Sequence, residues 1–242
     1  MERMSNQIFQ GIYQNYDSAL SACERYNLDL NYPIKIWKRR QLDYMSLAKN
    51  HSPRFESISG VLAKNSIQQV VDFGGGSGWL FTHLANLGYK INSRIVVETQ
   101  ETISWFKEYN QEVTWITDSN LNELNPIKNS AILYSNSCIQ YIETLRHLKS
   151  VLLRPWAYLI LEDIPNFNGP DFWTRQQYYN FNIPYHFFNI NKLRRYIESL
   201  GYRLEASSDY PESYPENWEY KIRGNGLLRV PNSAKTLIFK GV

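Results

Sequence analysis

Val70-Val71-Asp72-Phe73-Gly74-Gly75-Gly76-Ser77-Gly78-Trp79 decides the fold, and Val96-Val97-Glu98 completes its reading. Gln69 to Phe73 is short, apolar and β-branched, whereas Trp79, Leu80, His83, Leu84 and Leu87 recur at helical spacing. The glycines therefore fall on a strand-to-helix turn. Glycine at such a turn lets backbone come close to a ligand. A phosphate-binding P-loop would end in Gly-Lys followed by Ser or Thr, and this turn ends in Gly78-Trp79. A dinucleotide fingerprint would put its third glycine at position 79, which is tryptophan. Asp72 would also lie close to any pyrophosphate docked on the helix N-terminus, and like charges repel at short range in a partly buried site.

An acid before a glycine turn suits a cationic ligand. S-adenosylmethionine carries a sulfonium and an ammonium and no phosphate, so its electrostatics match Asp72. Glu98 follows the turn by about twenty-five residues, the distance to the end of the next strand, where an acid accepts hydrogen bonds from ribose hydroxyls. The competing reading is an α/β domain with a glycine-rich turn and an incidental acid.

The chain has 242 residues, enough for one large α/β domain with a sizeable core, and no repeat or low-complexity linker argues for two. Its 26 basic and 23 acidic side chains give a net charge of +3, too balanced to indicate a nucleic-acid surface. Lys35, Lys38, Arg39 and Arg40 form a local basic cluster on a helix expected over 34–48, read as a solvated helix face in preference to a phosphate-binding patch. Two cysteines, Cys23 and Cys138, make no disulfide framework, and neither a signal-peptide pattern nor a long apolar span is present. The expectation is a cytoplasmic, soluble protein with no membrane span. Cys138 reads as a small buried thiol in preference to a nucleophile, and no Cys/His spacing resembles a metal site.

Residues 1–65 are expected to form a helical N-terminal extension or lid, with helices separated at Pro33 and Pro53. From Gln69 the patterns alternate: strand 69–73, helix 77–87, strand 94–98, helix 99–109, strands 113–117 and 130–135, helix 142–152, strand 156–162. This implies a mostly parallel sheet covered by helices on both faces, in a domain spanning 66–242. An irregular, aromatic-rich insertion at about 164–190 contains Phe167, Phe172, Trp173, Tyr185, Phe187 and Phe188, and it reads equally as a pocket-lining cap or as plain packing. A helix over 191–200 ends at Gly201, and 202–206 and 235–239 supply closing strands. The polar stretch between them reads as a surface excursion or hairpin.

With these features in hand, the segment 68–165 resembles the class I S-adenosylmethionine-dependent methyltransferases, and the broad likeness extends over most of 68–205. Asp72-Phe73-Gly74-Gly75-Gly76, Val97-Glu98-Thr99, Ser135-Asn136-Ser137-Cys138-Ile139-Gln140-Tyr141-Ile142 and Pro184-Tyr185-His186-Phe187-Phe188 also look like one subgroup associated with bacterial surface-polysaccharide clusters. The resemblance implies a Rossmann-like, seven-stranded, mostly parallel sheet with an antiparallel last strand. It implies that Asp72, Phe73, Gly74 and Gly76 hold the methionine end of the cofactor, that Glu98 binds the ribose diol and that Asp118 sits near the adenine amino group. Ser135 and Asn136 would line the sulfonium end. For Asp118, a turn or helix cap in Thr117-Asp118-Ser119-Asn120 is an equal alternative. Where the family leads one to expect a basic or hydroxyl residue after the fifth core strand, this chain has Leu161-Glu162-Asp163-Ile164-Pro165. It also lacks the Asn/Asp-Pro-Pro-Tyr string that looks like the mark of nucleobase amino methylation, so DNA is disfavoured as a partner.

Methyl transfer is an in-line displacement. Alignment of the acceptor contributes roughly 7–11 kcal/mol and a positioned base about 100- to 10,000-fold. His186 is the first candidate base, because it falls in the aromatic insertion and imidazole titrates near neutrality; packing among Tyr185, Phe187 and Phe188 is the alternative. Asp163 and Glu162 are the second candidates. The function expected is transfer of a methyl group from S-adenosylmethionine, yielding S-adenosylhomocysteine, to a small-molecule or saccharide acceptor, most simply at oxygen. A nicotinamide-dependent oxidoreductase is disfavoured by Asp72 and Trp79, and RNA as a partner rests on the cluster at 35–40 alone. A non-catalytic binding or assembly subunit of the same fold remains the main alternative, and a homodimer is left open.

Overall fold

The computed structural model describes residues 8–25, 31–47, 55–143, 145–178, 181–210, 219–223, 227–231 and 233–242. At its centre β2 (Gln69–Phe73) is buried along its whole length, as a strand covered on both faces must be. Around it run β3 (Ser93–Glu98), β4 (Thr114–Thr117), β5 (Ala131–Asn136), β6 (Tyr158–Pro165), β9 (Tyr202–Asp209) and β12 (Ala234–Gly241). Their order is β4-β3-β2-β5-β6-β12-β9. Pairing is parallel from β4 through to β6, and β12 runs antiparallel to both its neighbours. The expected seven-stranded, mostly parallel sheet with an antiparallel last strand is the fold of this chain.

Alternation along each strand divides the core in two. Val71, Phe73, Val97, Leu133, Leu159 and Leu161 face one way, towards Leu148, Val151 and Leu152 of α6 (Leu145–Leu152) and Leu193 and Ile197 of α7 (Ile190–Ser199). Val70, Val96, Ile132 and Ile160 face the other way. They meet Ile58 and Val61 of α3 (Glu56–Lys64) and Leu80, Phe81 and Leu84 of α4 (Trp79–Asn86). The strand order reverses between β2 and β5, which opens a crevice at their C-terminal ends.

A second sheet, unforeseen as such, is assembled from three distant pieces in the order β11-β10-β1-β7-β8. The segment before β2 is not wholly helical: β1 (Ile8–Tyr13) precedes α1 (Tyr16–Glu24) and α2 (Asn31–Leu47), and Pro33 lies in the first turn of α2 without separating helices. Pro53 is outside the described residues. The insertion at 164–190 is not an irregular cap, because it contains the hairpin β7 (Phe172–Tyr178) and β8 (Phe181–Phe187). The polar stretch after β9 carries β10 (Glu219–Arg223) and β11 (Leu227–Pro231) as a hairpin, with Ile222 and Val230 buried.

One face of this sheet gathers Phe9, Phe167, Phe172, Tyr185, Phe187, Ile222 and Val230 into a core of its own, with Tyr141 against it. The opposite face carries Trp173 and is covered by α1, where Tyr16 meets the Trp173 ring edge-on at 5.2 Å. The small residues Ala19, Ala22 and Cys23 let that helix lie close.

Phe9 ties β1 to the hairpin, with its ring 4.9 Å from Tyr185 and 5.0 Å from Phe187. Phe9→Ala is expected to destabilise the protein by about 3–5 kcal/mol, the usual cost of deleting a buried phenyl ring, as read by chemical denaturation.

Candidate cofactor and acceptor site

The strand ends facing the crevice are built from the glycine turn outward. Gly74, Gly76 and Gly78 have φ of +74°, +58° and +73°, a region that side chains strain to adopt. Space is equally restrictive, since a Cβ at Gly75 would lie 2.5 Å from Asp72 Oδ2 and one at Gly74 would strike the Cys138 sulfur. The Gly74 amide donates to Val97 O at 2.9 Å, which fastens the turn to the end of β3.

Asp72 is 3 % exposed, and no described residue donates a hydrogen bond to its carboxylate or pairs with it as a cation. Burial pushes its pKa well above the ordinary value, and the Glu98 and Glu162 carboxylates push it further. Glu98 is better satisfied. Its Oε1 accepts the Gly76 amide at 2.9 Å and its Oε2 the Thr99 amide at 2.9 Å. Burial still raises its pKa, against the opposing pull of those two amides. A carboxylate offers about four lone-pair directions, so acceptor capacity remains for a ligand's hydroxyls.

Asp118 is exposed at the start of a 3-10 turn (Asp118–Glu123) beyond β4, close enough to Glu98 to repel it. No side chain caps that turn. Ser135 is buried beside Cys138, whose thiol is held protonated by burial and by the nearby Glu98 and Asp72. Phe73 packs under the turn in the core of the α6/α7 face.

The proposed bases divide. Glu162 is neither an open base nor a surface acid: it is 1 % exposed and accepts hydrogen bonds from Ser57 Oγ, Tyr134 Oη and Asn136 Nδ2. The Asn136 amide also reaches the hydroxyls of Tyr134 at 3.1 Å and Tyr210 at 3.2 Å. Glu162 thus anchors an interior network that fixes Asn136 at the end of β5. Asp163, one residue on, is partly exposed with φ of +54° and accepts from Ser137 Oγ at 2.5 Å. Ser137 itself has φ of +54°. Two non-glycine residues in this region at adjoining strand ends, joined by a hydrogen bond, mark backbone held in place by its surroundings.

His186 is not brought to the crevice. It alternates with Tyr185 and Phe187, which face Tyr141, so its ring turns to the opposite side of β8 and stacks on Trp173 at 4.4 Å. Burial there depresses its pKa to about 4, which makes it a weak proton acceptor as well as a distant one.

Gln41 of α2 went unnoticed in the sequence, yet it is 3 % exposed and its Oε1 accepts the Ser77 amide at 3.0 Å. A lone glutamine on a polar helix carries no local signal of such a contact. Among the described residues no group of His, Cys, Asp and Glu is arranged to hold a metal ion, and no helix is long and apolar enough to cross a membrane.

No protein-family model matches this chain, and no curated protein matches it. Solved structures do share its fold. A methyltransferase from Methanosarcina mazei described as S-adenosylmethionine-dependent is 12 % identical with a TM-score of 0.54, over 77 % of this chain and 97 % of that one. The CcbJ methyltransferase from Streptomyces caelestis is 10 % identical with a TM-score of 0.52, over 77 % and 88 %. The glycopeptide N-methyltransferase MtfA, solved with S-adenosylhomocysteine, is 9 % identical with a TM-score of 0.54, over 78 % and 89 %.

Because the folded-state pKa of Asp72 lies above its unfolded value of 3.8, protonated Asp72 favours the folded state. Its contribution is fully present below pH 3.8 and is lost as pH rises through the folded-state value. Asp72→Asn is therefore expected to raise the stability of the ligand-free protein at pH 7 by about 1–3 kcal/mol, with the gain fading towards pH 3 in denaturation curves.

Proposed function

We propose that this chain is an S-adenosylmethionine-dependent methyltransferase acting on a small-molecule or saccharide acceptor, with oxygen as the methylated atom. The observation that carries the reading is Asp72: a buried carboxylate with no hydrogen-bond donor among the described residues, beside a bare glycine turn, at the point where the strand order reverses. A buried charge without a partner is costly, and an ammonium-bearing ligand would offset that cost. The fold shared with solved methyltransferases supports the same reading.

In this reading Asp72 meets the cofactor's ammonium, Gly74 and Gly76 admit its methionine end against the backbone, and Glu98 accepts from its ribose hydroxyls. Asp118 borders the adenine, and Ser135 and Asn136 line the sulfonium end. The bound cofactor supplies an electrophilic methyl on a cationic sulfur. The chain's own contribution is to orient the acceptor and take its proton. Asp163 is the carboxylate whose placement suits the second task, since it stands partly exposed two residues before the end of β6, beside Ser137. Asn136, fixed by Glu162, Tyr134 and Tyr210, suits the first. The negative surroundings of Asp72, Glu98 and Asp163 favour a neutral or cationic acceptor over an anionic one. The cytoplasm is the setting in which such a cofactor and a chain with few cysteines would meet.

Titration calorimetry tests the reading. S-adenosylmethionine and S-adenosylhomocysteine are expected to bind with micromolar affinity and NAD not at all. Glu98→Gln is expected to weaken S-adenosylhomocysteine about ten- to hundredfold, the range for a hydrogen bond to a charged group. Undiminished affinity in that variant would refute the ribose assignment. Binding without turnover across hydroxyl acceptors would instead assign the chain to the non-catalytic members of the fold.

A further inference from the structure

The contact between α2 and the glycine turn gives Gln41 a role that neither the fold nor the cofactor reading assigns. Helix α2 docks beside α4 through Tyr44, whose ring stacks on Trp79 at 4.9 Å with 15° between planes. Trp79 is held in turn by Phe55, at 4.5 Å and 61°. Gln41 lies three residues before Tyr44 and so on the same helical face. Its carboxamide oxygen accepts the Ser77 amide at 3.0 Å, and its backbone carbonyl receives the Ser77 hydroxyl at 3.5 Å. The same oxygen fills the place above Gly76 where a Cβ would otherwise project. A glutamine side chain therefore lies over bare turn backbone, on an amide that leads into α4, a short distance along the chain from Asp72, whose carboxylate has no donor among the described residues.

Amides at the start of a helix attract anions, and a carboxamide oxygen is a neutral substitute for one. The cofactor of the reading above is an amino acid at one end. Its ammonium suits Asp72, and its carboxylate needs a donor nearby. We propose that Gln41 is a built-in competitor for that carboxylate: it occupies the Ser77 amide in the free protein and must withdraw before the methionine end seats. The exchange is favourable because an ionised acceptor makes a stronger hydrogen bond than a neutral one, so the plug yields to the right ligand. Ligands that lack the amino-acid end do not displace Gln41. The contact thereby lowers affinity for the whole cofactor and leaves that for its nucleoside fragments untouched, and α2 becomes the element that responds to cofactor arrival. The proposal rests on the cofactor reading.

Calorimetric affinities of the full chain for S-adenosylhomocysteine and for methylthioadenosine, which has the nucleoside and sulfur but no amino-acid end, separate the two ideas. Gln41→Ala is expected to tighten S-adenosylhomocysteine about three- to tenfold, the worth of one ordinary hydrogen bond no longer displaced, and to leave methylthioadenosine unchanged. Gln41→Glu keeps the shape and adds a carboxylate at the contested amide, so it is expected to weaken S-adenosylhomocysteine and again spare methylthioadenosine. Weaker S-adenosylhomocysteine binding in Gln41→Ala would make Gln41 a ligand and overturn the proposal. Equal changes for both ligands would make the contact merely structural and overturn it as well. If the wild-type chain binds neither compound, the cofactor reading itself falls.

Discussion

Negative charge gathered inside the sheet's C-terminal edge governs how this structure is organised. Asp72, Glu98 and Glu162 lie in the C-terminal halves of three strands at or near the switch point, close enough that Glu98 and Glu162 both raise the pKa of Asp72. The chain relieves two of the three. Glu98 takes two backbone amides, and Glu162 takes a serine, a tyrosine and an asparagine. Asp72 is left without a described donor. Leaving a carboxylate in this condition lowers stability, a cost that a bound cation would offset. The glycine turn beside it leaves no room for a side chain of its own, since a Cβ at Gly75 would lie 2.5 Å from that carboxylate.

The second sheet explains why the crevice has walls. Its three pieces come from the segment before β2, from the connection between β6 and α7, and from the connection between β9 and β12. The second and third leave the main sheet at the end that bears the acids. Tyr141, just after β5, joins the two parts. It meets Tyr185 edge-on at 5.3 Å and donates to Gln176 at 3.0 Å. The wall on this side thus depends on packing across segments far apart in the chain, whereas the glycine turn and its acids come from the contiguous stretch 69–98, with Gln41 added from α2.

That division also explains what the sequence made legible. The β2 turn could be read because its constraint is local: a buried strand needs an apolar run, and a turn with left-handed backbone needs glycine. Glu98 could be placed because the parallel register fixes where the next strand ends. The second sheet could not be read in the same way. β1 pairs with β7 across most of the chain, and β7 alternates poorly, since Thr174, Arg175 and Gln176 are all buried. The placement of His186 depends on the same pairing: once 181–187 is a strand, alternation turns its ring away from Tyr185 and Phe187 and onto Trp173. The β10–β11 hairpin did leave a signal. Tyr220 and Ile222 alternate before Gly224-Asn225-Gly226, and Leu228 and Val230 alternate after it, a pattern that favours a tight turn between strands. Glu162 and Asp163 are equal candidates for a base in the sequence because nothing in Leu161-Glu162-Asp163 says which carboxylate has donors inside.

The central claim is that Asp72 is a carboxylate waiting for a cation, and proton linkage tests it most directly. Burial and the neighbouring carboxylates hold the Asp72 carboxyl well above the ordinary carboxylate range, and an arriving ammonium would favour its ionised form and release the proton. Calorimetry of S-adenosylhomocysteine binding in buffers of different ionisation enthalpy counts the protons exchanged. The account predicts release of up to about one proton by the wild-type chain and none attributable to this site in Asp72→Asn. Tight binding with the same proton count in both proteins would contradict it.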